Sequence, residues 1–441
     1  MKKINILEET RESDAQYKNI ENLETMDKEI KNADYNFPYN KNKRILKIIL
    51  IIILLLTSGL ILFLIFYIRN KNKQDKKEIK YSIKAIYHTD NNNENVTLIN
   101  TSTKYIEAII IESKSVEPCL NYVFSTKGNH EVNILLNLTD IKSLNHLFNG
   151  INKMISISFT EEFNTENITD MQYLFYECNS LTSIILSSLN TKNVYDMNHM
   201  FYNCYSLKNI DLSNFNSKSI FNLEYMFFNC TSIETINFPK TKIKNIIDLS
   251  YIFYNCFSLK EMNLESFDTY NVIDMSYMFY NCSSLSSINL YNFETQMVTN
   301  MEGMFDNCLS IKSIDISNRN APTLISTEKM FKDCSSLVNI NINDFTVENI
   351  SNIKYMFYGC SSIKSLNLSN FGNDKEIKMD YSFYHCTNLE YLDISSIKNI
   401  SVSNQTLFSD DIETEGIIRL DVSIMDIINS SKPKNWKVES I

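Results

Sequence analysis

The cysteines are the residues whose spacing first points to chemistry. Nine of the ten recur every 26 residues, at positions 178, 204, 230, 256, 282, 308, 334, 360 and 386. Structural zinc sites draw four ligands from closely spaced pairs, whereas these cysteines come one to a repeat. Disulfides would leave one of the nine unpaired. A cysteine between strands about 4.8 Å apart and helices about 8–10 Å apart has neighbours at or beyond the roughly 7 Å limit on Cα separation. We therefore predict a column of buried thiols.

The histidines add no catalytic constellation. They are His88, His130, His146, His199 and His385, and none lies at motif spacing from a nucleophile or a carboxylate. No glycine-rich phosphate-binding loop occurs either. The sequence therefore predicts a protein that is not an enzyme and that uses no metal and no cofactor.

The 26-residue period itself predicts the architecture. Self-similarity at such a period indicates a solenoid, in which each unit buries its apolar face against its neighbours. Leu207, Ile210 and Leu212 have the spacing of a short strand, and equivalents recur in later units. The apolar residues of the next part of each unit follow a helical spacing, as in the run Val194, Met197, Met200 and Phe201. We predict an α/β solenoid of strand–helix units, with a helix of about two and a half turns in each.

Polar positions at the ends of the predicted helices support this reading. The residue before the helical run, such as Asn193, accepts hydrogen bonds in seven of nine units, which predicts an N-cap column. Acidic residues such as Asp196 lie in the first turn, where the helix dipole favours them. Equivalent acids are Asp248 and Asp274. The residue before each cysteine, such as Asn203, tolerates positive φ and predicts a left-handed helix terminator.

The period, the strand phrase and the Met-Phe-x-x-Cys closure resemble the BspA-type leucine-rich repeat of bacterial surface proteins over residues 147–408. The resemblance implies a right-handed solenoid with its strands on the concave side. It also implies display on a cell surface, a role in adhesion and no enzymatic activity. The unit after Cys308 departs from the pattern, with Arg319 in a phenylalanine slot and Pro322 ahead of the helix. We expect a local irregularity there.

Residues 45–68 are predicted to form a single transmembrane helix, because they are apolar with one charge, Lys47, and long enough to span about 30 Å of hydrocarbon. Residues 1–44 are predicted to be a disordered cytoplasmic tail, and residues 69–79 a basic stalk. The flanking charges slightly favour a cytoplasmic solenoid. Long domains translocate largely regardless of charge, so the surface resemblance places the C-terminal solenoid outside the cell.

The remaining segments are predicted to cap the solenoid. Strand-like runs in residues 80–146 indicate a small β module over its first turn, and residues 409–441, with the single tryptophan Trp436, indicate a C-terminal cap. The chain has a net charge of −10; residues 1–44 are neutral, Lys47 adds +1 and the stretch 69–84 carries +5, which leaves −16 for residues 85–441. This charge argues against a nucleic-acid partner.

The first candidate binding surface is the polar face of the predicted strands. Alternation along a strand turns Asn209, Asp211 and Ser213 outwards. Equivalent residues in other units are Asn263, Asn289, Asp315, Asn341 and Asn367. Such a face suits hydrogen bonding to a glycan or an extended protein surface, and the alternative is a solvated sheet without a ligand.

The second candidate surface consists of two tyrosine columns that should face solvent on the predicted helices. Candidate contact residues there are Tyr225, Tyr251, Tyr277, Tyr280, Tyr355 and Tyr358. Tyrosine supplies large, rigid area at interfaces, and the alternative is that each ring packs against the ring of the next repeat. Both columns are interrupted, by Gly303 with Asp306 and by Lys329 with Lys332.

These features predict a membrane-anchored surface protein that uses its solenoid to recognise a protein or a glycan, in adhesion. The alternative is a structural or self-associating surface scaffold without a specific ligand. The expected partners are therefore the membrane, through one helix, and a protein or glycan ligand, with self-association possible.

Overall fold

The computed structural model describes residues 82–215, 220–372, 374–403 and 406–441. The predicted tail, transmembrane helix and basic stalk lie outside these described residues. Within the described part, no helix has the length and apolar character needed to cross a membrane. The stretch Lys80–Ile441 is one compact unit.

The N-terminal segment folds into strands that join the first turns of the solenoid. They are β1 (Ile83–Thr89), β2 (Glu94–Thr97), β3 (Ile106–Ile111), β4 (Lys114–Val116), β5 (Asn121–Phe124) and β6 (Gly128–Leu136), with a 3-10 helix at Thr103–Tyr105. Strand β1 pairs antiparallel with β6 on one side and with β7 (Met154–Phe159) on the other. Strand β7 then pairs in parallel with β8 (Ser183–Ile185). The module's sheet therefore continues into the solenoid, and β1 covers the edge of β7 that would otherwise be unpaired.

Short parallel strands follow in the repeats, as the apolar spacing predicts. They are β9 (Asn209–Asp211), β10 (Thr235–Asn237), β11 (Ser313–Asp315), β12 (Asn339–Asn341), β13 (Ser365–Asn367), β14 (Ile377–Lys378), β15 (Tyr391–Ile394) and β16 (Ile400–Ser401). Equivalent residues pair directly, for example Ile210 with Ile236 and Ile314 with Ile340. The sheet is interrupted between β10 and β11, since no strand is assigned in the described residues of the two intervening units.

The predicted helix in each unit is wrong: in the described residues of the repeats this limb is a series of turns, apart from the two-residue strands β14 and β16. The amide of Met200 donates to the carbonyl of Met197, three residues earlier, at 3.3 Å, and other amides donate to the neighbouring unit. For example, the amide of Phe201 donates to the carbonyl of Met226 at 2.9 Å. A chain of three-residue turns places apolar side chains at intervals of three and four, as a helix does. The fold is therefore a solenoid with inter-repeat hydrogen bonds on both limbs.

Left-handed residues make a helix impossible on this limb. The residue before each cysteine has positive φ, as predicted, with Asn229 at 58°. The first tyrosine column has it too, with Tyr225 at 55°, and this was not expected. Two left-handed residues four positions apart break any run of right-handed helical residues. The chain instead turns twice in every unit.

The predicted capping residues serve the turns and the stack. The side chain of Asn193 donates to the carbonyl of Glu166 in the previous unit at 2.8 Å, rather than accepting from a helix N–H. The carboxylate of Asp196 accepts the amide of Asn198 at 3.0 Å, which is an Asx turn. Asp248 and Asp274 do the same with Ser250 and Ser276.

The core is built of stacked identical side chains. Phenylalanine rings form one ladder, as in Phe201 on Phe227 with centroids 5.3 Å apart and planes within 9°. The nine repeat cysteines are buried and unpaired. Each thiol donates to a phenylalanine carbonyl of the previous unit, for example Cys204 to Phe175 at 3.2 Å. The cysteines are unpaired, as predicted, but the distance argument against disulfides was wrong. It assumed packed helices, whereas these limbs are hydrogen-bonded to one another like strands.

The segment predicted as a C-terminal cap extends the parallel sheet. It contains β17 (Gly416–Leu420), a 3-10 helix at Val422–Ile424, helix α1 (Met425–Ser431) and β18 (Trp436–Ser440). The sheet order is β13, β15, β17 and β18. Trp436 is buried, and its ring lies 5.9 Å from that of Phe408, so it closes the core at this end.

Candidate functional site

The predicted strand-face residues lie on one surface, and their side chains also hold the backbone. Asn209, Asp211 and Ser213 are exposed, as are most of their equivalents. Asp211 accepts the amide of Ser213 at 2.9 Å, so it forms an Asx turn at the end of its strand. The same turn is formed by Asn263, Asn289, Asp315, Asn341 and Asn367 with the residues two positions on. One oxygen of each of these turn-forming side chains is thus occupied by a backbone amide.

An open groove of about 820 Å³ lies on this surface where the sheet is interrupted. It is lined by Lys242, Asp268, Ile288, Asn289, Leu290, Tyr291, Asn292, Glu294, Asp315, Ser317, Asn318 and Arg319. A second groove of about 540 Å³, which includes Asn341, shares Ile288 and Asp315 with the first. The structure therefore brings together three predicted residues, Asn289, Asp315 and Asn341. Asn209, Asp211, Ser213, Asn263 and Asn367 line neither groove.

Arg319 explains the place of the groove, and it is the predicted irregularity. In most other units the same slot holds a buried phenylalanine, such as Phe267 or Phe345. Arg319 is half-buried, and its Nη2 donates to the carbonyls of Leu290 at 3.2 Å and Tyr291 at 2.7 Å. Burying a charged guanidinium without hydrogen-bond partners is costly, so the Arg319 side chain binds these carbonyls and does not fill the core.

The groove combines an exposed ring with groups that stay charged. The side chain of Tyr291 is 79% exposed. Hydrogen bonds from the hydroxyl and the amide of Ser317 lower the pKa of Asp315, with further contributions from Asn341 and Arg319. Asp315 also accepts the side-chain amide of Asn341 at 3.1 Å. The site therefore offers one aromatic face, amides, carboxylates and cations to a ligand.

Sequence reasoning missed most of the groove lining. Lys242, Asp268 and Glu294 occupy one slot of successive units, but their charges differ, and neither this slot nor that of Tyr291 was singled out from the sequence. The available signal was Arg319, since loss of a buried phenylalanine in one unit marks where the regular surface opens.

The two tyrosine columns are half-buried stacks. The rings of Tyr225 and Tyr251 lie 4.7 Å apart with planes within 11°, and those of Tyr251 and Tyr277 lie 5.1 Å apart. In the second column, Tyr280 stacks on Tyr254 at 4.3 Å. Tyr355 and Tyr358 stack on Tyr381 and Tyr384. These contacts support the interpretation that the rings stabilise the stack.

Charged residues fill the interruption in the columns. Lys332 lies 3.6 Å from Asp306 and 5.6 Å from the ring centroid of Tyr358. Lys329 lies 3.1 Å from Glu328 and 3.4 Å from Glu302. Asp306 is buried, and this burial raises its pKa to about 6. Ion pairs here replace the ring contacts of the other units.

The cysteine column lacks the properties of a reactive site. Burial raises the pKa of the Cys178 thiol to about 12, and the other repeat cysteines shift in the same direction. A thiol is nucleophilic and binds metal as the thiolate, which such burial disfavours. Within the described part of the chain, no three His, Cys, Asp or Glu side chains converge to hold a metal ion.

The stacked strands, turns and side-chain ladders define a parallel β-solenoid built from 26-residue repeats. A family model described as "Mycoplasma protein of unknown function, DUF285" matches residues 142–261, 222–340, 247–371 and 325–415. The chain belongs to this family. No curated protein matches the sequence.

Several solved structures are similar to part of the chain, at low identity and low TM-score. One is the TLR13–ssRNA13 complex, at 13% identity and a TM-score of 0.27, over 62% of this chain and 50% of that one. Another is the Toll–Spätzle complex of Drosophila, at 11% identity and a TM-score of 0.22, over 64% and 45%. A third is the functional domain of InlJ from Listeria monocytogenes, described as including a cysteine ladder, at 11% identity and a TM-score of 0.22, over 71% and 76%. The chain spans about half the length of the first two.

Proposed function

We propose that the chain is a membrane-anchored surface protein that recognises a ligand through the strand-face groove, in adhesion. The observation that carries the proposal is the groove of about 820 Å³ around Tyr291, Asp315 and Arg319. A concave site with an exposed ring and a few convergent polar groups is the usual form of a ligand site. The recognition function requires no catalytic step.

A glycan is the ligand that the lining favours. The groove presents side-chain amides at Asn289 and Asn292 and carboxylates at Asp268 and Glu294, which can pair with many hydroxyl groups. The ring of Tyr291 offers a flat apolar face beside them. An extended protein segment is the other ligand that such a surface accommodates.

Two further parts of the proposal rest on sequence. The repeat resembles the BspA-type leucine-rich repeat, which implies surface display and adhesion. Residues 45–68 would supply the membrane anchor, with the solenoid outside the cell. Protease added to intact cells should then remove a solenoid epitope and spare an epitope in residues 1–44. Loss of the tail epitope instead would reverse the orientation.

Ligand recognition is tested with full-length protein, purified in mild detergent, on an array of glycans and matrix proteins. Tyr291→Ala should weaken binding to a glycan hit about tenfold, because a central exposed aromatic side chain is removed. Tyr270→Ala is the matched control, since Tyr270 is also exposed, at 57%, but does not line the groove. Arg319→Phe should abolish binding by restoring the buried ring of the other units.

Three outcomes would each overturn one part of this proposal: the site, the glycan ligand or the recognition function. Equal effects of the Tyr291 and Tyr270 variants would place the ligand elsewhere. Hits among proteins alone would replace the glycan by a protein ligand. No hits, together with concentration-dependent self-association in sedimentation, would favour the alternative function of a structural scaffold.

A further inference from the structure

A surface outside the groove carries an exposed column of large apolar side chains. It consists of Tyr195, Phe221, Ile247, Ile273 and Ile325, which are between 38% and 52% exposed. These residues occupy one slot of the 26-residue repeat, and none of them lines the groove. Soluble surfaces rarely expose apolar side chains in such a continuous row, and rows of this kind mark interaction sites.

Four members of the column, from Tyr195 to Ile273, are continuous because the backbone joins them directly, whereas Thr299 separates Ile325 from them. The amide of Phe221 donates to the carbonyl of Tyr195 at 3.1 Å, and that of Ile247 to Phe221 at 3.0 Å. The next link, from Ile273 to Ile247, measures 2.9 Å. The rings of Tyr195 and Phe221 stack with centroids 5.7 Å apart and planes within 7°. Hydrogen-bonded neighbours of this type lie about 4.8 Å apart, so the side chains form an unbroken ridge.

Carboxylates run beside the apolar ridge. Asp196, Asp248 and Asp274 directly follow ridge residues, and Glu224 comes three residues after Phe221. Among the described residues, none of these four carboxylates has an ion-pair partner, whereas Glu234 and Glu302 pair with Lys260 and Lys329. Partial burial, followed by the charges of Asp248, Asp274 and Asp196, raises the pKa of Glu224. The charges of Asp248, Asp274 and the buried Asp196 therefore repel that of Glu224 without a compensating cation among the described residues.

We propose that this surface, the apolar–acidic face, binds a cationic polypeptide segment that carries apolar side chains. Positive side chains would relieve the repulsion among the four carboxylates, and apolar side chains would cover the ridge. A second copy placed face to face would bring eight carboxylates together, which opposes self-association here. The partner is thus distinguished from the groove ligand by its charge and by the face that it occupies.

The repeats supply conservative replacements for both features. Asn222 and Asn300 occupy the aspartate slot and form the same Asx turn, and Gln172 occupies the slot of Glu224. Thr169 and Thr299 occupy the ridge slot. Asp196→Asn with Glu224→Gln, Asp248→Asn and Asp274→Asn therefore removes charge without removing a turn. Phe221→Thr with Ile247→Thr and Ile273→Thr removes the ridge with residues that the slot accepts.

The probe is a labelled 12-residue peptide of alternating lysine and leucine, titrated against full-length protein and followed by fluorescence anisotropy. Both variants should bind it at least about tenfold more weakly than the wild type, and the charge variant should lose most of the salt dependence. The matched control removes four exposed carboxylates elsewhere, by Glu161→Gln, Glu166→Gln, Glu261→Gln and Glu265→Gln. It should bind as the wild type does, which separates a specific face from attraction to net charge.

Peptide controls test the two components of the partner. A lysine–serine peptide of equal charge and a glutamate–leucine peptide of equal apolar content should both bind weakly. Equal binding of the lysine–serine peptide, or equal losses in the face and control variants, would overturn the proposal. Because the groove is untouched, retained glycan binding by the face variants keeps this test separate from that of the proposed function.

Discussion

The ring of Tyr277 covers Gly303, so that a Cβ atom at residue 303 would lie 2.4 Å from Cε1 of that ring. Gly303 has φ of 58° and occupies the slot where earlier units carry a stacking tyrosine. The Tyr277 hydroxyl donates to the carboxylate of Glu302. The first tyrosine column is therefore interrupted after Tyr277, whose ring occupies the space beside the glycine.

Gly303→Ala should lower the free energy of unfolding by about 2–4 kcal/mol, because the new methyl group adds a clash with Tyr277 to the strain of a left-handed alanine. Gly150→Ala is the matched control. Gly150 has φ of 69° but no atom within 4 Å of an added Cβ, so it should lose only about 1–2 kcal/mol. Urea denaturation measures both, and equal losses would show that Tyr277 moves aside freely.

The asparagine ladder should stabilise the turns through side-chain amides. Asn255 donates to Asn229 at 2.8 Å and accepts from Asn281 at 2.9 Å. Asn255→Gly keeps the left-handed backbone, as Gly359 does natively, and should lower the free energy of unfolding by about 1–2 kcal/mol. Asn255→Ala should lose about 1 kcal/mol more, since alanine is strained at positive φ. If the glycine variant is as stable as the wild type, the ladder contributes nothing.

Asp306 should make stability fall as pH rises. Burial raises its pKa to about 6, above the roughly 3.9 of an unfolded aspartate, so the native state holds the proton more tightly. The free energy of unfolding should therefore fall between about pH 4 and pH 6 by the contribution of Asp306. Asp306→Asn should be more stable than the wild type at pH 7, by about 1 kcal/mol, and the difference should vanish below pH 4.

Asp315 provides a control of opposite sign for that experiment. Hydrogen bonds from Ser317 lower its pKa, so its stabilisation is present at neutral pH and is lost as the carboxylate is protonated in acid. Asp315→Asn should therefore be less stable than the wild type at pH 7 and equal to it in strong acid. The same pH profile for both variants would contradict the assigned environments.

The repeat thiols should be unreactive in the folded protein. Of the ten cysteines, only Cys119 is partly exposed, while the nine in the repeats are buried. Titration with an aromatic disulfide reagent should modify one thiol per native chain and ten in denaturant. Cys119→Ser should abolish the native reaction, and rapid modification of several thiols in this variant would contradict the buried column.

Sequence reasoning identified the repeat, its strands and its left-handed asparagines, because each leaves a residue-specific mark. Asn203 and Gly359 belong to the few residue types that favour positive φ, and both have it. Ile210 and Leu212 alternate with polar residues, as strand residues do. These local preferences are visible without knowledge of tertiary contacts.

The return limb and the groove were not predictable in the same way. Val194, Met197 and Phe201 have a spacing that fits both a helix and successive turns, and tyrosine at positive φ in Tyr225 is unexpected for its residue type. Hydrogen bonds to the neighbouring unit decide between the two structures, and they depend on the assembled stack. The groove depends on which carbonyl groups the Arg319 guanidinium binds, and the repeat pattern does not predict those contacts.

The ladders of the solenoid connect residues of neighbouring units, such as Asn255 with Asn281 and Ile314 with Ile340. Duplication or loss of one whole unit in the gene would rejoin each such ladder in register. The protein would then grow or shrink by about 4.8 Å while its core chemistry stayed the same. Loss of 25 residues instead would shift the following units out of register. Apolar side chains would then face water, and polar side chains would face the core. Unequal recombination can therefore alter how far the C-terminal end reaches without a new fold having to evolve.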